Sequence, residues 1–306
     1  MTLPTKVTLI EVGPRDGLQN EPHFVPTDKK IEFINRLSET GLKHIEVTSF
    51  VSHKAIPQLT DSIEVYDKIQ KNPGVAYSAL VPNQHGLELA LKQHIQHIAL
   101  FTAASESFNQ RNIHCSIQQS IERFKPVVDL AKKHDITIRA YISCVLGCPY
   151  EGMIMPEQVC EVIHQLLPFE IDEISFGDTI GVGTPLQTIN LINVIQSLWP
   201  QDATAMHFHD TYGQAIANIF ASLEMGIHRF DSAVAGLGGC PYALGATGNV
   251  ATEDVLYLMH GLNIETGVDI YKVAQIGDSI CKTLKRRNLS KVANALLGTG
   301  EVNASS

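Results

Sequence analysis

Short apolar runs alternate with longer amphipathic segments along nearly the whole chain. Runs of this length, rich in aliphatic residues, are typical of strands that are buried on both faces of a parallel sheet. They predict strands at Val7–Val12, His44–Phe50, Ala76–Val81, His97–Thr102, Thr137–Val145, Glu173–Gly177, Thr204–His209 and Arg229–Ala235. About eight strand–helix units at fairly even spacing favour a closed TIM (β/α)8 barrel, and a doubly wound open sheet is the alternative.

The segments between these strands carry helix signals. Thr27 is predicted to cap the first helix and Gly41 to end it, with Ile31, Ile34 and Leu37 at helical intervals between them. Further helices are predicted over Ser116–His134, Pro156–Leu167, Thr184–Leu198 and Val268–Ala295.

We expect one catalytic domain over residues 1–306, with a barrel over about 1–265 and an appended helical extension over 266–306. TIM-barrel sites lie at the carboxyl ends of the strands, so the polar residues that follow each apolar run are the candidates for function.

Composition narrows the class of protein. Of the 306 residues, 44% are hydrophobic and 18% charged, as in a globular protein with a large core. The net charge of -9 argues against nucleic acid as the main partner, because phosphate binding needs basic surface. We expect neither a membrane span nor a targeting segment. The six cysteines, at positions 115, 144, 148, 160, 240 and 281, are dispersed, which indicates reduced thiols in a cytoplasmic protein.

The first strand ends in a turn that places a cation beside a carboxylate. Arg15 and Asp16 lie between Gly13-Pro14 and Gly17. A local ion pair in a turn is as good an explanation as a functional site when these residues are considered alone.

The seventh strand carries a His-x-His pattern, His207 and His209. Side chains at i and i+2 of a strand share a face, and two imidazoles so placed suit a first-row divalent ion. For an isolated pair, two satisfied core histidines are the commoner outcome.

A glycine-rich stretch, Gly236–Asn249, follows the eighth strand and carries Cys240. It has no Lys-Ser/Thr end, so it is not a phosphate-binding P-loop. A mobile loop over the barrel mouth fits better than a plain connection, which is seldom so long.

Two acidic residues also fall at strand ends, Glu46 and Asp178. Each is a candidate acid/base or orienting group, and Asp178 is also a candidate helix N-cap. The CxxxC spacing of Cys144 and Cys148 has no second cysteine pair, so we do not expect a structural zinc site.

Five segments together resemble the 3-hydroxy-3-methylglutaryl-CoA lyase family. The turn and the His-x-His are shared with a wider group of metal-dependent barrel lyases and Claisen condensing enzymes, whereas the cysteine-bearing loop indicates the lyase. The segments are Glu11–Glu21 (EVGPRDGLQNE), Ser143–Gly152 (SCVLGCPYEG), Gly177–Thr184 (GDTIGVGT), His207–Asn218 (HFHDTYGQAIAN) and Gly238–Thr252 (GGCPYALGATGNVAT).

The resemblance implies cleavage of the acyl-CoA substrate to acetoacetate and acetyl-CoA with Mg2+ or Mn2+. It places the metal ligands at Asp16, His207, His209 and Asn249. It implies catalytic roles for Arg15, Cys240, His207, Asp178 and Glu46. We expect substrate contacts from Arg15, Gln19, Tyr141, Thr179 and Arg139. A homodimer is expected from the family alone.

Several points stay open at this stage. The initial base is His207 or Asp16, with Asp178 as a helper. CoA contacts at Arg111, Asn112 and Arg139 compete with ordinary surface roles. Pro22 and His23 depart from the basic residue of many relatives. The alternatives are a lyase for a longer-branched 3-hydroxyglutaryl-CoA, a condensing enzyme of the isopropylmalate or homocitrate synthase kind, and an inactive metal- or CoA-binding barrel.

Overall fold

Eight parallel strands form a closed barrel in the computed structural model, which describes residues 3–51, 56–239 and 248–302. The barrel strands are β1 (Thr8–Glu11), β2 (His44–Ser49), β3 (Ala76–Leu80), β4 (His97–Ala103), β5 (Thr137–Ser143), β8 (Glu173–Asp178), β9 (Thr204–Phe208) and β10 (Arg229–Ser232), and β6 (Gly147–Cys148) with β7 (Gly152–Met153) makes a separate hairpin. The order around the barrel is β1, β10, β9, β8, β5, β4, β3, β2. The predicted TIM barrel is confirmed, and the open-sheet alternative is wrong.

Helices surround the barrel and connect successive strands. They are α1 (Thr27–Ser38), α2 (Ser62–Lys68), α3 (Gln84–Lys92), α4 (Glu106–Ile113), α5 (Ile117–Glu122), α6 (Phe124–Lys132), α7 (Pro156–Leu166), α8 (Pro185–Ile195), α9 (Ala215–Glu224), α10 (Thr252–Gly261), α11 (Ile270–Leu284) and α12 (Lys291–Val302). Helix α11 packs against α1, α10 and α12, so the C-terminal extension lies on the barrel wall. Within the described ranges, no helix has both the length and the apolar character needed to cross a membrane.

The predicted strands lie where the structure has them, with some different ends. The predicted strand Arg229–Ala235 ends at Ser232, because Val234–Gly236 form a short helical turn with Ala235 at φ 60°. His209 lies one residue beyond β9 and pairs with Asn249 in an isolated antiparallel bridge. This bridge brings the end of the glycine-rich loop to the mouth of the barrel.

Three helix predictions need correction. The helix predicted over Ser116–His134 is two helices, because Pro126 has no N–H to donate to the carbonyl of Glu122, where α5 ends. The one predicted over Val268–Ala295 is broken at Lys285, which adopts a left-handed φ of 54°. Thr27 is the first helical residue and not the cap, and its hydroxyl donates to Asp61 Oδ2 at 2.8 Å.

Gly41 does not end α1 directly, since the helix stops at Ser38. Its φ is +102°, and a Cβ there would lie 2.0 Å from the carbonyl oxygen of Gly267. The glycine is therefore required where the chain after α1 passes against the backbone that leads into α11.

We predict that Gly41→Ala destabilises the fold by about 1–3 kcal/mol more than Gly74→Ala, because an atom must be forced against backbone. Gly74 also has a positive φ, +80°, but a Cβ there meets nothing within 4 Å. It therefore serves as the control for strain alone, at about 1–2 kcal/mol. Urea unfolding of both variants measures the difference, and equal losses would contradict the close approach to Gly267.

Candidate active site

Three candidate metal ligands converge at the carboxyl ends of the strands. Asp16 comes from the Gly13–Gly17 turn after β1, His207 from β9, and His209 from the residue after β9. One ligand atom of each lies within 4.8 Å of the others. The two imidazole rings have centroids 5.2 Å apart, as expected of side chains at i and i+2. The interpretation as two separate core histidines does not account for this cluster.

Asn249 joins the group because the two ends of the glycine-rich loop pass very close to each other. A Cβ on Gly238 would lie 2.6 Å from Asn249 Nδ2, and one on Gly248 would lie 2.5 Å from the Gly238 oxygen. The Asn249 amide donates to Asp16 Oδ2 at 2.8 Å and to the Leu237 oxygen at 3.0 Å. Both of its N–H groups are thus committed, which fixes the direction of its Oδ1.

The donor set fits a divalent cation. Asn249 Oδ1 and His209 Nδ1 are buried and have no hydrogen-bond partner among the described residues. Burial, with a contribution from His207, lowers the pKa of His209 to about 3, so its imidazole is neutral near pH 7. Burial tends to raise the pKa of Asp16, but Arg15 and the two histidines outweigh it and leave the pKa below its ordinary value. An ionised carboxylate, imidazole nitrogens and an amide oxygen suit such an ion.

Arg15 is held between two carboxylates. Its Nε donates to Glu46 Oε1 and its Nη1 to Asp16 Oδ1 at 2.8 Å, and the side chain is buried. Burial alone would lower the pKa of Arg15, but Glu46 and Asp16 raise it overall. The Tyr141 hydroxyl donates to the other oxygen of Glu46 at 3.0 Å. Nη2 of Arg15 donates to none of the described residues, so one edge of the guanidinium stays available.

Asp178 ends β8, and the interpretation as a helix N-cap is wrong. The cap of α8 is Thr184, whereas the Asp178 carboxylate accepts from the backbone N–H groups of Val182 (3.1 Å) and Gly183 (2.9 Å). Burial raises the pKa of Asp178 to about 6 in spite of these bonds. The neighbouring Thr179 hydroxyl accepts from Cys144 N at 2.8 Å. Asp178 thus organises the loop that enters α8.

The other residues that were predicted to contact substrate or CoA lie in different environments. Gln19 donates to Asp16 Oδ1 at 3.3 Å, beside the metal group. Arg111 is exposed and its guanidinium stacks 4.4 Å from the Tyr150 ring centre, with Asn112 beside it. Arg139 is only 4% exposed, so its interpretation as a surface residue is wrong.

The predicted proton donor, Cys240, lies outside the described residues. The oxygen of the preceding residue, Gly239, accepts from Asn20 Nδ2 at 2.9 Å. The position of Cys240 in the site therefore stays a prediction.

Sequence reasoning missed three buried carboxylates near the site. Asp231 lies in β10 and contacts His207, while Glu11 and Glu253 bind the turn that follows β10. The signal for Asp231 and Glu11 was an acidic residue within a strand of a barrel whose strands are buried. Glu253 carried no such signal, because it lies in the first turn of α10, where acidic residues are common.

Glu11 and Glu253 lie behind the start of the glycine-rich loop. Glu11 accepts from Val234 N at 3.0 Å and from the Thr252 hydroxyl at 2.7 Å, and both oxygens of Glu253 accept from Ala235 N. Neither carboxylate forms an ion pair within the described part of the chain. Burial raises the pKa of Glu11 to about 7 and that of Glu253 to about 8.

The fold and the site together define a class: a parallel (β/α)8 barrel with a group of candidate metal ligands at its carboxyl end. The family model described as HMGL-like matches residues 6–280, and the chain belongs to that family. This outcome confirms the resemblance seen in the motifs.

Individual relatives agree over nearly the whole chain. A 3-hydroxy-3-isohexenylglutaryl-CoA/hydroxy-methylglutaryl-CoA lyase of Pseudomonas aeruginosa is 55% identical, covering 97% of this chain and 99% of its own. A crystal structure of hydroxymethylglutaryl-CoA lyase from P. aeruginosa superposes with a TM-score of 0.95 at 55% identity, covering 98% of this chain and 100% of its own. An HMG-CoA lyase from Acinetobacter baumannii, in complex with coenzyme A and 3-methylmalate, has a TM-score of 0.91 at 36% identity and covers 96% and 97%.

We predict that the free energy of unfolding, measured on protein kept free of metal by a chelator, falls as the pH rises from 6.5 to 8.5. Glu253→Gln should reduce this fall. The folded chain keeps a proton on Glu253 up to about pH 8, whereas the ordinary pKa is 4.5, so this contribution to stability is lost as the pH rises. Urea unfolding at several pH values measures the slope. Glu265→Gln, which removes an exposed carboxylate paired with Lys6, is the control and should keep the wild-type slope. Identical slopes in all three proteins would contradict the raised pKa of Glu253.

Proposed function

We propose that this chain is a carbon–carbon lyase that cleaves (S)-3-hydroxy-3-methylglutaryl-CoA to acetoacetate and acetyl-CoA with a divalent cation, Mg2+ or Mn2+. The observation that carries the proposal is the convergence of Arg15, Asp16, His207, His209 and Asn249 in a chain that matches hydroxymethylglutaryl-CoA lyases from end to end. The coenzyme A bound to the A. baumannii relative supports an acyl-CoA substrate.

Asp16, His207, His209 and Asn249 would hold the cation. When bound, a divalent cation lowers the pKa of the substrate hydroxyl and offsets the charge that develops on its oxygen. Two of these ligands are oriented before the cation binds, since the Asn249 amide donates a hydrogen bond to the Asp16 carboxylate.

The first step is removal of the hydroxyl proton by a base. Asp16 is the poorest candidate, because it accepts from Arg15, Gln19 and Asn249 and its pKa is low. Both nitrogens of His207 are committed, Nε2 to the cation and Nδ1 to Asp231, so we assign the step to Asp178. A pKa of about 6 lets Asp178 exchange a proton near neutral pH.

Bond cleavage follows from the removal of that proton. The hydroxyl oxygen becomes the ketone of acetoacetate, the C2–C3 bond breaks, and its electron pair passes to the thioester enolate. The free edge of Arg15 stabilises the enolate oxygen, and Glu46 holds the guanidinium in place. The Cys240 thiol then donates its proton to C2, which releases acetyl-CoA.

A longer-branched substrate is a second candidate. The P. aeruginosa relative is named as a lyase for 3-hydroxy-3-isohexenylglutaryl-CoA as well as for hydroxymethylglutaryl-CoA. That name supports activity on both substrates in this chain as well. Cleavage is favoured over condensation because these relatives are named as lyases. Homodimer formation and a cytoplasmic location stay predictions.

We predict acetoacetate release from hydroxymethylglutaryl-CoA that stops on chelation and returns with Mg2+ or Mn2+. Comparing kcat/KM for this substrate and for the isohexenyl homologue shows which of the two is the better substrate.

His209→Ala should lose stoichiometric metal binding, since it removes a neutral ligand from a group of four. Activity that survives chelation, or metal retained by His209→Ala, would refute the proposed site.

We predict that Arg15→Gln lowers kcat by about 10²–10³-fold or more, the effect of losing one well-aimed donor to a developing oxyanion, while metal content stays near one ion per chain. Arg123→Gln removes an exposed guanidinium on the outer helices and is the matched control. Near-wild-type kcat in Arg15→Gln would remove Arg15 from the enolate step.

A further inference from the structure

Asp231 lies directly beside the metal ligand His207. Strands β9 and β10 place the two residues opposite each other, and Asp231 Oδ2 lies 3.2 Å from His207 Nδ1. The same oxygen accepts from the Ser175 hydroxyl at 2.8 Å, and Asp231 is 1% exposed. Burying a carboxylate in a barrel strand costs free energy of folding unless its partners compensate, so the contacts of Asp231 indicate a functional role.

The contact determines which nitrogen of His207 carries the proton. An ionised carboxylate only accepts hydrogen bonds, so Nδ1 must donate to Asp231, and Nε2 is the one ring nitrogen left to offer a lone pair to a cation. A ligating histidine whose second nitrogen is held by a carboxylate is fixed both in tautomer and in ring orientation. Asp231 therefore presents Nε2 of His207 as the ligand.

Arg139 supplies the charge that makes this arrangement stable. Its Nη2 donates to Asp231 Oδ1 at 2.5 Å, and its Nη1 donates to the Tyr141 hydroxyl at 3.0 Å. Its Nε lies 2.6 Å from Glu173 Oε1. With Nη1 and Nη2 both donating to protein groups and only 4% of the residue exposed, the guanidinium is directed into the barrel interior and not toward a substrate.

These contacts continue to the other side of the site. The Tyr141 hydroxyl donates to Glu46, Glu46 pairs with Arg15, and Arg15 donates to the metal ligand Asp16. One connected set of hydrogen bonds thus runs from His207 to Asp16 through the barrel interior.

We propose that Asp231 is a positioning residue that holds His207 in its Nδ1-protonated form, and that Arg139 acts on the metal site through Asp231 and not by contacting substrate. The proposal rests on the proposed metal site. It predicts that changes at Asp231 or Arg139 alter metal affinity before any substrate is bound.

The test is the dissociation constant for Mn2+ alone, measured by the electron paramagnetic resonance signal of the free ion. Asp231→Asn keeps the size of the side chain but loses its charge, and should weaken Mn2+ binding about 10–100-fold. Asp61→Asn removes another carboxylate with little exposure, whose side chain is 9% exposed and whose partners among the described residues are Lys30 and Thr27, and should leave Mn2+ binding unchanged. Unchanged affinity in Asp231→Asn would overturn the proposal.

Nitrogen-15 spectra of the metal-free protein test the tautomer directly. The His207 signals, assigned by their loss in His207→Gln, should show a protonated Nδ1 and a bare Nε2 in the wild type and a changed pattern in Asp231→Asn. The same pattern in both proteins would count against Asp231.

A second pair of variants keeps the test decisive if Asp231→Asn does not fold. Arg139→Met should weaken Mn2+ binding, whereas Arg139→Lys, which keeps the charge, should weaken it less. Wild-type Mn2+ affinity in Arg139→Met, with a raised KM, would instead assign Arg139 to the substrate. His209→Ala separates the two proposals: if the wild type binds Mn2+ no better than His209→Ala, the metal site itself is wrong.

Discussion

The ion pairs of Arg15 with Glu46 and Asp16 constrain the geometry of the whole site. A guanidinium with so little solvent contact is tolerated only with its partners in place, and losing one partner of such a buried pair costs about 3–5 kcal/mol. The tight turn Gly13–Gly17 after β1 places Arg15 and Asp16 side by side, and β2 brings Glu46 beneath them. The position of the candidate metal ligand Asp16 is therefore tied to that of the proposed enolate-binding group.

The C-terminal extension takes part in the same construction. Arg286, just after α11, pairs with Glu21 beyond the active-site turn, and Leu289 N donates to the oxygen of Ala235 at 3.1 Å. One short connector thus contacts both the segment that follows Arg15 and the turn that begins the glycine-rich loop. The C-terminal extension therefore contacts, and can stabilise, the two segments that carry the site.

The barrel and the shared face of the two histidines were predictable because both depend on local periodicity, whereas Asp16 and Asn249 were assigned from the family resemblance. Strand and helix spacing gave the eight units, and the i, i+2 rule placed His207 and His209 on one face. Asp231 was not predictable in the same way, because its contact with His207 depends on the register between two strands. Arg139 was misjudged for a related reason. In a strand buried on both faces, sequence does not tell which side chains point into the barrel.

Two buried polar atoms of the site lack hydrogen-bond partners in the part of the chain that the structure describes, which lowers the stability of the protein without a cation. The described residues leave Asn249 Oδ1 and His209 Nδ1 buried without partners, and each such atom costs about 1–3 kcal/mol. Glu46 and Asp231, by contrast, are paired on both oxygens. The cost falls on the atoms that a cation would use, while the neighbouring charges are already neutralised. A cation bound there would give both atoms a partner without rearranging Arg15. The free energy of binding would then add directly to the stability of the fold.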